Sequence, residues 1–346
     1  MYPPILIRTL ALSKGVLLGN AGAIVCSLGE STAARRTVLA GLRLRWRSRP
    51  SLVDEVLNRA PEEAAASPLP DQIRVAAVQM ALRPADDPAM WVEQCQALTQ
   101  AAVRAGAQIV VFPALAAWGL VGAFGDPPLG TAIFGATEQN LTVSYRSAYA
   151  RLYPALHRVQ HRTFSHLAHR YRLTIVTGGL PAPRRTQAVL VATIFTEAGR
   201  LRLHQPAFAA GSLPTLELSY IKAGDDCLLT AVISDKASSD WLIPALSVEK
   251  ADVLAVMAPG NAADFGDGAA MAAATGLYVV RAAMAGSVEP AIPPGRSGIY
   301  APPDYSDTGS GILAQVVSDG EEEVVVATLD LARRRSGGAS GAGGDG

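Results

Sequence analysis

The chain is 346 residues long, 49% apolar, and carries 30 Lys and Arg against 30 Asp and Glu. That length fits one large domain with an appendage, and the apolar share suffices for a sizeable core. Zero net charge argues against a dedicated nucleic-acid surface, which needs a basic excess, and leaves self-association unopposed by charge repulsion.

Residues 1–72 read as a short helical N-terminal extension and linker. The most apolar early stretch, Gly15 to Leu28, falls short of the ~20 residues that a membrane crossing requires. Arg8 and Lys14 give a signal-like flavour, but Lys14 interrupts the apolar run and no clear A-x-A cleavage site follows that run. A retained segment and a cytoplasmic protein are expected. The Arg-rich segment 35–49 reads as a solvated helix face, with peripheral membrane or protein contact as its other use. Ser51 then caps a short helical pattern, and Pro61 to Pro70 reads as a linker.

From Ile73 the pattern alternates between strand and helix, which predicts an α/β layered domain over 73–333. Strands are expected at Ile73–Met80, Gln108–Phe112, Leu173–Thr177, Val189–Phe195, Cys227–Ile233, Val253–Met257, Leu277–Ala282 and Val324–Leu329. Helices are expected at Pro88–Ala105, ended by Gly106, and at His157–Tyr171, Trp241–Lys250 and Ala269–Thr275. The Gly- and Ser-rich tail, 334–346, is expected to be disordered. The three cysteines, Cys26, Cys95 and Cys227, lie far apart without a CxxC spacing. They fit a reducing compartment better than a disulfide framework.

Several segments together resemble the carbon–nitrogen hydrolase (nitrilase) family. Val75–Met80 looks like its first strand. Ala105–Pro113 looks like the stretch ending in the family's Phe-Pro-Glu. Thr174–Gly179 and Ala198-Gly199-Arg200 resemble the strand and turn before the family's lysine. Ala223-Gly224-Asp225 resembles its Pro-Gly-Asp turn, and Ile233-Ser234-Asp235 falls where it carries its cysteine. Lys250–Pro259 and Gly295–Pro302 resemble the following strand and hairpin. The resemblance implies a four-layer α-β-β-α sandwich, pairing into a homodimer or higher oligomer, and a small amide-like ligand. It implies no cofactor and no metal.

The family's chemistry uses a Glu as general base, a Cys nucleophile and a Lys that stabilises developing charge. By the same resemblance those positions fall on Ala114, Ser234 and Ala207, the last within Gln205–Ala207. The accessory glutamate falls on Glu217, seven residues before Gly224. Leu190, Ala274 and Thr275 occupy further family positions. A base, a cation and a thiol are thus all replaced. This points to a non-catalytic scaffold, regulatory partner or small-molecule binder. The alternative is an active amide or nitrile hydrolase, or acyl transferase, with a rearranged site of Ser234, Glu217 and His204. Ala114, Ser234 and Gln205–Ala207 are expected to converge at one end of the domain.

Other residues carry weaker signals. Cys227 sits too far along its strand to replace Ser234 and reads as a buried structural thiol. His157 and His161 share a helix face at i,i+4, but no HExxH pattern accompanies them. They read as a solvated helix surface rather than a metal site, as do His166 and His169.

Overall fold

The computed structural model describes residues 50–59, 71–83, 85, 87–124, 143–180, 182–183, 188–206, 220–223, 227–233, 251–257, 268–286 and 295–340. Two sheets stack face to face, with helices covering the outer face of each.

The first sheet runs in the order β12-β1-β2-β3-β6-β7, with β15 also paired to β1. Its strands are β1 (Gln72–Ala81), β2 (Ile109–Val111), β3 (Thr174–Gly178), β6 (Val191–Phe195), β7 (Leu201–Pro206), β12 (Met284–Ala285) and β15 (Glu323–Asp330). The second runs β14-β13-β11-β10-β9-β8. It comprises β8 (Ile221–Ala223), β9 (Cys227–Ile233), β10 (Val253–Met257), β11 (Tyr278–Ala282), β13 (Gly298–Tyr300) and β14 (Ile312–Gln315). A separate small ribbon pairs β4 (Ala182–Pro183) with β5 (Ala188–Val189).

Strand alternation divides the core into three layers. On β1, Val75 and Ala77 face the second sheet, whereas Ala76 and Val78 face the helices. Both sets are fully buried, so β1 reads as a continuous apolar run. The inter-sheet layer joins Val75, Ile109, Val111 and Val176 to Leu229, Ala231, Val253, Ala255 and Val280. Outside the second sheet, Val232, Leu254 and Val279 pack with Met271 and Ala272 of a short helix, Gly268–Thr275. This is the four-layer α-β-β-α arrangement that the sequence implied.

The helices on the first sheet are α1 (Pro50–Asn58), α2 (Pro88–Arg104) and α3 (Val143–Tyr171). The outer layer of the second sheet is α4 (Gly268–Thr275), and α5 (Leu331–Ser340) follows β15. Asp87 caps α2 by accepting from the Ala89 N–H, and Pro88 occupies its first turn. Gly106, at φ 80°, closes it. Trp91 donates its indole N–H to the Ala116 carbonyl at 2.7 Å and meets Phe164 edge-on at 5.7 Å.

Three differences from the sequence reading have physical causes. First, α1 belongs to the core. Val53, Val56 and Leu57 are buried in the cluster under α2 and α3. The Leu57 carbonyl accepts from Gln96 and Arg170, at 2.8 and 2.9 Å. Arg162 grips Asp54 through two hydrogen bonds. The stretch read as a linker, 61–70, lies outside the described residues, but the helix before it packs as part of the main domain. Second, the tail from 334 is not uniformly irregular, because α5 continues to Ser340. Arg334 reaches the Ala251 carbonyl, and Arg335 lies 3.6 Å from buried Asp252, which tethers that helix to the start of β10. Third, α3 begins at Val143 and runs through Pro154.

The histidine face of α3 also departs from the solvated surface expected. His157 and His161 are half-buried. Their rings lie 6.2 Å apart, between Tyr153, 5.3 Å from His157, and Phe195, 5.2 Å from His161. Burial pushes the His161 imidazole below its usual pKa. His166 is lowered as well, by burial and then by Arg170. The folded state therefore binds these protons less readily than the unfolded chain, in which His titrates near ~6.5. Their contribution is present above that pH and is lost as pH falls from it through the depressed folded value. The urea midpoint should drop between pH 7.5 and 5.5, and by less in His161→Phe. An equal drop in both proteins would remove His161 as a source. The Arg-rich segment 35–49 and the helix expected at Trp241–Lys250 lie outside the described residues.

Candidate functional site

The connection between the sheets fixes which strand ends lie together. After Ala282 at the end of β11, the chain passes through Ala283 into β12. There β12 pairs in parallel with Met80 and Ala81, the last residues of β1. β2 and β3 run parallel to β1, and β9 and β10 run parallel to β11. The carboxyl ends of all six strands consequently open at one end of the sandwich. Such ends are where α/β folds commonly hold ligands.

Ala114 stands at this end, three residues beyond β2. It is fully buried, in the apolar cluster that also contains Ile233 and Met257 at the ends of β9 and β10. A tight approach of two backbones sets its position. Gly178, the last residue of β3, lies so close that a Cβ there would fall 2.1 Å from the Ala114 carbonyl oxygen and 2.3 Å from its Cα. The Phe112 N–H donates to the Val176 carbonyl, and the Gly178 N–H donates to the Pro113 carbonyl at 3.3 Å. Buried Gln160 of α3 clamps the following turn. Its amide donates to the Gly178 carbonyl at 3.1 Å and accepts from the Leu180 N–H at 3.3 Å.

Gln205, the first residue of the stretch that the resemblance assigns to the family's lysine, reaches the same end. Gly178 is paired with Ala192, and Ala192 with Gln205. Two inter-strand steps of ~4.8 Å therefore place Gln205 roughly 10 Å from Gly178. Pro206 ends β7, and Ala207 lies outside the described residues, as do Glu217 and Ser234. Ile233, immediately before Ser234, closes β9 opposite Met257. His204 sits on β7 across from Thr193.

At these carboxyl ends, Ala114, Ile233, Met257 and Ala282 carry side chains that can neither accept nor deliver a proton. Cys227 opens β9 at the opposite end of the strand. Burial, reinforced by Asp252, pushes its thiol up to about 12, so thiolate is scarce at neutral pH. Burial holds the Cys95 thiol well above its ordinary value too, with Glu322 adding to the effect. Leu190 is half-buried between β5 and β6, Ala274 is exposed, and Thr275 donates its hydroxyl to the Met271 carbonyl at 2.8 Å. No group of three or more His, Cys, Asp or Glu among the described residues is arranged to hold a metal. No helix among them is long and apolar enough to cross a membrane.

A buried hydrogen-bonded knot joins the end of β1 to the residue before β13. Gln79, fully buried near the end of β1, accepts from the Ser297 N–H at 3.0 Å and donates to the carbonyls of Ser318 and Glu321. The Ser297 hydroxyl donates to the Val78 carbonyl and accepts from the Ala283 N–H. Every polar atom named in this knot has a partner, as a buried network requires. A polar Gln within an apolar strand was the available signal, but its partner lies 218 residues away.

The family model for carbon-nitrogen hydrolase matches residues 74–338. Solved structures with the same architecture include a double mutant of the amidase from Nesterenkonia sp. AN1 in complex with acrylamide. It shares 18% identity, covers 80% of this chain and 99% of its own, and gives a TM-score of 0.54. Another mutant of that amidase carries the acetamide moiety of fluoroacetamide covalently at its active site cysteine. The values there are 18% identity, 78% and 96% coverage, and a TM-score of 0.55. A further structure of an amidase from Nesterenkonia sp. gives 18%, 78%, 95% and 0.54. At this identity the likeness establishes the fold. No curated protein sequence matches the chain.

Proposed function

Because the chain belongs to the carbon–nitrogen hydrolase family, matching it over residues 74–338, we propose that it is a member whose hydrolytic chemistry has been dismantled. In this reading the sandwich is kept to bind a small amide-like molecule or to serve as a scaffold or regulatory partner. The observation that supports the reading is the full burial of Ala114, whose methyl group occupies the position that the resemblance assigns to the family's base.

The chemistry explains why that loss is severe. Attack on an amide or nitrile carbon by a Cys or Ser needs its proton removed as the bond forms, and a positioned base contributes ~10²–10⁴-fold. A missing oxyanion stabiliser costs a further ~10²–10³-fold. With Ala114, Ala207 and Ser234 in the three places, base, cation and thiol are lost together. The losses act on one transition state, so restoring one group restores little.

Ser234→Cys tests this with the smallest change. The new thiol would have its ordinary pKa near ~8.5, leaving only a few per cent thiolate at neutral pH. No hydrolysis of amides, nitriles or N-carbamoyl compounds should be detected for the native protein or for Ser234→Cys. Turnover by the native protein that Ser234→Ala abolishes would refute the proposal and favour the rearranged site, of which Glu217 and His204 would be the next residues to replace. Appreciable amidase activity in Ser234→Cys alone would likewise sink the proposal, since a base and an oxyanion stabiliser would have to exist already.

A further inference from the structure

An open groove of about 550 Å³ lies between the edge strands β7 and β8, away from the carboxyl ends just described. Thr174 lines it at the start of β3. The Ala114 contact is made by Gly178, four residues later, ~13 Å along the same strand. The turn Thr196–Ala198, Arg202 of β7, and Tyr220 to Lys222 supply the rest of the lining.

We propose that this groove is a binding site for a small organic anion bearing a carboxylate or phosphate. Arg202 and Lys222 come from different sheets, are both exposed, and line the one groove. Neither forms an ion pair or a side-chain hydrogen bond among the described residues, even though Glu197 lines the same groove. Thr174 is only 2% exposed, yet its hydroxyl has no hydrogen-bond partner among the described residues. A hydroxyl that lines an open groove and has no partner among the described residues can donate to a ligand oxygen. A guanidinium offers a planar fork suited to a carboxylate or phosphate, and an ammonium adds a compact charge from the other wall. Tyr220 and Ile221, both half-buried, provide an apolar wall for the ligand's carbon skeleton. Glu197 on the rim leaves one net positive charge among the three ionised groups, so the groove still favours an anion.

The test is calorimetric titration of the full-length protein with inorganic phosphate and, separately, with succinate, at matched ionic strength set by chloride. Saturable binding is expected in at least one arm, and the arm that saturates more tightly identifies the preferred anion. Arg202→Gln and Lys222→Gln should each weaken it at least fivefold, and Thr174→Val about threefold. Unchanged melting temperatures would confirm that these variants remain folded. Lack of saturable heat in both arms would overturn the proposal. So would affinity in the Arg202→Gln, Lys222→Gln double variant within twofold of the native value. Neither outcome bears on the hydrolase assays, which interrogate the opposite strand ends.

Discussion

A chain that begins at Asp71 should be far less stable than one that begins at Pro50. Removing α1 strips Val53, Val56 and Leu57 from the core, and these are 3%, 6% and 0% exposed. Burying an aliphatic side chain contributes ~1.5–3 kcal/mol, so the three together contribute on the order of 5 kcal/mol. That approaches the whole stability of many domains, about 5–15 kcal/mol. Polar losses add to it. The buried Gln96 amide would lose the Leu57 carbonyl, and Arg170 and Arg162 would lose their partners on α1. Guanidinium unfolding of the two truncations would measure the difference, with the Asp71 form at a much lower midpoint or without a cooperative transition. If the truncated form proves insoluble, Leu57→Ala in the full chain asks the same question, with an expected cost of ~2–5 kcal/mol. Equal midpoints for the truncations, or a negligible effect of Leu57→Ala, would mean that α1 only rests on the surface.

Gly178→Ala should be the most damaging single methyl addition at the candidate site. The added Cβ would meet three backbone atoms of Ala114 at 2.1 to 2.4 Å, and a backbone cannot rotate aside as a side chain can. Separating the segments would strain the hydrogen bonds from Phe112 to Val176, from Gly178 to Pro113 and from Gln160 to Gly178. Overpacking costs typically ~1–3 kcal/mol and more where nothing yields, so a loss of about 3 kcal/mol or greater is expected. Gly320→Ala is the matched control. Its Cβ would meet only the Ser318 hydroxyl, at 3.7 Å, and its effect should stay within ~0.5 kcal/mol. Thermal melts of both proteins decide the matter. Similar melting temperatures would show that the Ala114 segment can retreat, and the site would be softer than its contacts imply.

The sequence by itself determined where most of the buried strands lie, and its resemblance to the family supplied the layer pattern. Cys227–Ile233 and Val253–Met257 were legible to the residue, because strands buried on both faces become continuous apolar runs between turn residues. That residue 114 is alanine is equally a covalent fact that no packing can reverse, and its reading as the place of the family's base rests on the resemblance. Edge strands such as β8, three residues long with Lys222 exposed, left no periodic signal to read.

What only the tertiary structure decided is where amphipathic and polar residues find their partners. The α1 pattern announced a helix with an apolar face, but the face is covered by α2 and α3, far along the chain. His157 and His161 have the spacing of a surface pair, yet both are half-buried, His161 against Phe195 of β6. Gly178 and Ala114 meet because parallel β2 and β3 bring their carboxyl ends together, and Gln79 meets Ser297 because antiparallel β13 begins at that same end. Local sequence fixes local geometry through sterics and hydrogen bonding over a few residues. Gly178 meets Ala114 across 64 residues and Gln79 meets Ser297 across 218, separations at which only the packed sheets specify who touches whom.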